Sequence, residues 1–171
     1  MLVTLNILIF VCCLHIAFQD FKYKQISLLT LSLVLIALVL KNSILFSLSE
    51  VFYNSLYSIL FLLVIFLLVT IYFSLKHKKL LNITNLYLGL GDIVLFLCLT
   101  SAFSFPTFIL FFNMTLLLTL LISLFTFSIK KRNFEIPLAG AICSQYIVLF
   151  GLSFFSDSFN LYYGFNYFQV F

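Results

Sequence analysis

Long apolar runs separated by short polar joints occupy the whole chain, and their lengths set the first expectation. Crossing a hydrocarbon core of about 30 Å takes about 20 helical residues. Segments of that order, bounded by charge or proline, run approximately from Leu2 to Phe18, Ile26 to Leu40, Val51 to Leu75, Asn85 to Phe105, Pro106 to Ile129 and Ile136 to Phe155. Only Ser101, Ser104 and Pro106 separate the fourth from the fifth, so that boundary rests on proline opening a helix well and sitting poorly inside one. The segments are apolar all round, without the alternation of a barrel strand, and backbone groups in hydrocarbon must pair within their own segment. The pattern therefore predicts an all-α, polytopic integral membrane protein with six transmembrane helices. With no internal repeat and no Gly- or Ser-rich linker, residues 1–171 form a single transmembrane domain.

Composition sharpens the exclusions. Of 171 residues, 64 % are hydrophobic and 8 % charged, against about 25 % charged in soluble domains. Polar surface on that scale cannot cover the apolar side chains, so the surrounding medium is the lipid bilayer. Apolar runs along the full length exclude both a secreted domain behind a signal peptide and a soluble head on one anchor. The net charge of +4 reflects scarce charge and forms no basic face, so nucleic acid is excluded as a partner.

The few charges report orientation. The first, third and fifth connections hold Lys22 and Lys24, then Lys76, Lys78 and Lys79, then Lys130, Lys131 and Arg132, which is eight of the nine basic residues. Only Lys41 falls on the opposite side, with Glu50 and Asp157. The positive-inside rule makes the odd connections cytoplasmic and puts both termini outside. The aromatic tail from Tyr162 to Phe171 then reads either as an interfacial belt or as an end without a role.

Acids inside a bilayer call for a reason. Asp20 closes the first span and Asp92 lies in the fourth, within Gly89-Leu90-Gly91-Asp92. Measured from Asn6, Asp20 lies roughly 21 Å along the first helix; measured from Asn85, Asp92 lies roughly 10 Å along the fourth. The two helices run in opposite directions, so both carboxyls share a level beneath the cytoplasmic face. Two close carboxylates in a poorly hydrated site hold a proton between them. One then takes a proton from water while the other donates to a substrate carbonyl, which hydrolyses a peptide with no metal and no cofactor. The roles within the pair stay unassigned. Gly89 and Gly91 admit two readings, a close approach for an extended substrate backbone or a seam of small residues between helices; taken alone the seam is preferred. Asn82, Thr84 and Asn85 are candidates to line a water path.

These residues resemble a known family. Asp20 followed by Lys22, Lys24 and Ile26 resembles the first-aspartate motif of type IV prepilin peptidases, and Gly89-Leu90-Gly91-Asp92 resembles their second, the GxGD signature shared with presenilin-type proteases. Ile136-Pro137-Leu138-Ala139-Gly140 resembles a third, proline-containing feature opening the last span. The resemblance implies an aspartic endopeptidase of the inner membrane that removes the short leader of prepilins or pseudopilins at the cytoplasmic face. It implies Asp20 and Asp92 as the catalytic pair, with Gly89, Gly91, Lys22, Lys24 and Pro137 binding substrate or shaping the backbone. Departures are Val94, where the family has Lys, and Ile26-Ser27-Leu28, where it continues Ile-Pro-Asn. Many members carry a domain with paired Cys-x-x-Cys motifs linked to N-methylation; this chain begins directly with a span, so peptidase without methyltransferase activity is expected.

The remaining candidates are read as structural. Cys12, Cys13, Cys98 and Cys143 form no Cys-x-x-Cys pair and are taken as small packing residues. His15 is five residues from Asp20, off the face defined by three and four, and His77 belongs to a basic loop. Glu135 is a helix N-terminal acid. A serine protease lacks its Gly-x-Ser motif and base. Two alternatives of other classes are a six-span transporter with an acidic site at glycine-broken helices and an inactive scaffold of a pilus or secretion assembly.

Overall fold

The computed structural model describes residues 1–78, 89–129, 137–155 and 159–165. Six helices are seen there: α1 (Leu2–Tyr23), α2 (Leu28–Leu45), α3 (Leu48–His77), α4 (Leu90–Leu99), α5 (Phe105–Ile129) and α6 (Leu138–Phe155). A two-stranded antiparallel ladder follows, β1 (Phe159–Asn160) and β2 (Gly164–Phe165), with Phe159 opposite Phe165. Lys79, Asn82, Thr84, Asn85, Lys130, Lys131, Arg132, Glu135, Ile136, Asp157 and the tail from residue 166 lie outside the described residues.

Four helices, α1, α2, α3 and α5, are long and apolar enough to cross a membrane, and the chain is an all-α, membrane-embedded protein. Several boundaries differ from the sequence pattern: α2 runs on to Leu45, which puts Lys41 on the helix, and α3 covers Leu48–His77. α1 continues past Phe18 to Tyr23, so Asp20 sits on the helix and not in a loop. α4 stops at Leu99, well short of Phe105. Its end is satisfied by side chains of other helices: Asn42 Nδ2 donates to the Ser101 carbonyl at 2.5 Å, and the Ser55 hydroxyl to that of Thr100 at 3.3 Å. Ser104 then caps the next helix, its carbonyl accepting from the Phe108 N–H, with Pro106 inside the first turn. That is where a missing N–H costs nothing.

α1 packs between α2 and α6, α2 also meets α3 and α4, and α5 bridges α3 and α6. The core is built from Ile9 and Ile16 of α1, Leu31 and Leu38 of α2, Leu95 and Leu99 of α4, Phe108 of α5, and Ile142 and Tyr146 of α6. α3 is peripheral, burying only Val51, Ser58 and Leu62 of its 30 residues, and its exposed Leu63, Leu67 and Leu68 face lipid.

The helix ends sort into two sets. At one end lie the end of α1 and the starts of α4 and α6, joined by the contacts described below. At the other, Asn54 Oδ1 accepts from the Phe105 N–H, the Tyr162 carbonyl accepts from the Ser104 N–H, and Tyr163 donates to Glu50. Tyr162 is no interfacial belt residue: it is buried, stacks on Phe46 with ring centres 4.3 Å apart, and receives a hydrogen bond from Asn54. Lys22 and Lys24 stand at the first end, Lys41 and Glu50 at the second. α3 starts at the second and spans about 45 Å, which carries Lys76 and Lys78 to the first.

Candidate active site

The local sequence after Asp20 forces a sharp reversal. Lys24 takes a left-handed conformation at φ 55° and its N–H bonds back to the Asp20 carbonyl, closing α1. Gln19 Oε1 accepts the Ser27 N–H at 3.2 Å, tying the end of α1 to the cap of α2. This turn aims Ile26 at α4. A Cβ added to Gly91 would lie 3.0 Å from Ile26 Cδ1, so Ile26 occupies the space the glycine leaves. The two motifs therefore pack on each other, and the absent side chain at Gly91 serves a helix contact.

Asp20 is buried, with 6 % of its surface exposed, and its Oδ2 accepts the backbone N–H of Gly140 at 2.6 Å. Asp92 is the third residue of α4, after the cap Gly89. Its carboxyl folds back over that cap, with Oδ2 3.1 Å from where a Cβ on Gly89 would stand. It faces the backbone of Gly89 and Ala139 and lies within electrostatic reach of Asp20. The reach back to its own cap is the acidic half of a capping box.

Both carboxyls thus converge on the first turn of α6. Ala139 and Gly140 present N–H groups that have no partner within their own helix; that of Gly140 is met by Asp20, and Asp92 faces that of Ala139. Gly140 leaves room for the Phe21 ring, since a Cβ there would come within 2.9 Å of it and the ring or the turn would have to shift. Pro137 is buried at the start of this turn, and its carbonyl accepts from Ala141. The roles of Ala139, Gly140, Phe21 and Gln19 were not read from sequence. The run of small residues after Pro137, in a chain with five glycines, was the available signal.

The other candidates fall around this centre. The Lys22 ammonium lies over the Phe18 and Tyr23 rings of its own helix, 5.3 and 5.0 Å from their centres. Lys24 shapes the turn, and Val94 packs against the core. His15 is exposed on α1. Cys13 and Cys143 hydrogen-bond to each other one turn from the Asp20 contact. Among the described residues no cluster of three or more His, Cys, Asp or Glu can hold a metal. No family model, curated protein or solved structure matches the chain.

Proposed function

We propose that the chain is an aspartic endopeptidase of the bacterial inner membrane that cleaves the short leader of prepilin or pseudopilin-like precursors. The observation that carries the reading is the convergence of Asp20 and Asp92, from separate helices, on one helix N-terminus. A pair holding one proton carries one negative charge, and two backbone N–H groups at the positive end of a helix stabilise it. The ionised member takes a proton from water as the water oxygen attacks the scissile carbonyl, and the protonated member donates to the carbonyl oxygen. Collapse of the tetrahedral intermediate sends a proton to the leaving amine and restores the pair.

The same proposal covers topology. With six spans and the odd connections inside, the aspartate end is cytoplasmic and both termini are outside. A precursor then presents its leader at the inner face, just before its hydrophobic helix.

One feature favours a second reading, an inactive scaffold: both carboxyls already satisfy backbone donors, which a purely structural pair would also do. Co-expression with a prepilin-like substrate separates the two. Asp20→Asn and Asp92→Asn each keep a carbonyl oxygen for the α6 N–H groups, so both variants accumulate in the membrane at wild-type levels. Loss of cleavage in both is expected; cleavage by either variant removes that residue from catalysis, and none by wild type leaves the scaffold.

A further inference from the structure

A second polar centre lies at the opposite end of the bundle from the aspartates. Lys41, on the last turns of α2, has only 8 % of its surface exposed. Among the described residues it makes no ion pair or hydrogen bond, and its ammonium faces the Phe150 ring, 5.1 Å from the centre. Only four residues from the end of α2, so long a side chain ordinarily extends to the interface. Here it is held beneath the turn joining β1 and β2, in a cavity of about 200 Å³ also lined by Asn42, Ser153, Asn160 and Tyr162.

The polar groups around it bond to other partners or to none, and the Tyr146 hydroxyl in the same lining is buried without a partner. The Asn42 amide donates to Ser101, the Ser153 hydroxyl to Phe150, and Asn160 Oδ1 accepts the Tyr162 N–H. The ammonium therefore brings three donors and a full charge to a cavity with polar groups in its lining, yet the contact seen among the described residues is with the Phe150 ring. A buried ammonium with its hydrogen-bond donors unmet is costly, and a cation–π contact with one ring satisfies none of the three donors.

We infer that this cavity is a binding site for a phosphate-bearing anion, with Lys41 as its charged contact. The cavity holds several water volumes at ~30 Å³ each, enough for a phosphate group with part of its hydration. Lys41 stands four residues from the end of a membrane-length helix, and an anionic phospholipid headgroup and a free phosphate share the required chemistry. The inference is independent of the peptidase reading.

The full-length protein in neutral detergent, titrated with phosphatidylglycerol, phosphatidylcholine or inorganic phosphate, tests it through the thermal unfolding midpoint and through lipid retained in native mass spectrometry. Phosphatidylglycerol is expected to raise the midpoint and remain bound, and phosphatidylcholine to do neither. Lys41→Met, close in volume and uncharged, should weaken binding by more than about tenfold, while Lys41→Arg retains it. A matching effect of inorganic phosphate assigns the site to a free anion. Equal response to both lipids, or undiminished binding by Lys41→Met, overturns the inference. So does equal destabilisation by Lys41→Met and Asp157→Asn without any anion effect, since the lysine is then paired within the chain.

Discussion

At the scale of single residues, the aspartates and glycines act through backbone groups. Asp20→Ala leaves the Gly140 N–H without an acceptor in a buried place, at a cost of about 1–3 kcal/mol, whereas Asp20→Asn keeps the contact. A lower thermal midpoint in detergent for the alanine variant alone is the expected result. Gly140→Ala places a methyl 2.9 Å from the Phe21 ring, so either the ring or the start of α6 must move. Because that turn binds Asp20 and lies beside Asp92, the proposed cleavage should fall at least tenfold in Gly140→Ala, about 1.4 kcal/mol at the transition state, at near-normal protein levels. Gly91→Ala meets only the tip of Ile26 and should be milder; cleavage assays on the two variants side by side check the order. Asp20 and Asp92 were legible in the sequence because charge in an apolar run has few uses. Their partners were not, because a backbone N–H has no letter of its own.

At the scale of elements, the early stop of α4 and the small ladder after α6 carry the lesson. Ser101 and Thr100 are capped by Asn42 and Ser55, partners 59 and 45 residues away, a separation that no local pattern encodes. Asn42→Leu should lower stability by about 0.6–1.7 kcal/mol, the range for hydrogen bonds between membrane helices, readable by unfolding in mixed micelles. The ladder is pinned through Tyr162 and Tyr163. Burial, then the Glu50 carboxylate, pushes the Tyr163 phenol up from 10.0 to about 12. A raised phenol favours the neutral form in the folded state. Its contribution is therefore complete below pH 10 and lost as pH rises towards about 12. Thermal midpoints measured across that window should decline, and less steeply in Tyr163→Phe.

At the scale of the whole molecule, the all-helical, membrane-embedded character was readable because lipid imposes a length rule that acts on sequence directly, and four described helices meet it. The depth argument placed Asp20 and Asp92 at one level, and the two carboxyls lie within electrostatic reach of each other. The packing order was not readable: α3 is apolar all round, yet it buries only three residues, and hydropathy cannot tell lipid from protein as the covering medium. Single cysteines introduced at Lys78 and Ser47, with the four native cysteines replaced, test the proposed orientation. An impermeant maleimide added to intact cells should label position 47 and leave position 78 untouched until the membrane is opened; the reverse pattern inverts the topology.

The side chains that finish α4 belong to helices made earlier on the ribosome. When α4 leaves the translocon, α2 and α3 are already in the bilayer with Asn42 and Ser55 in place to receive it, so nascent α4 never waits in lipid with bare carbonyls. A circularly permuted chain that synthesises α4 first would lack that welcome, and should be degraded during biogenesis even though its finished contacts would be identical.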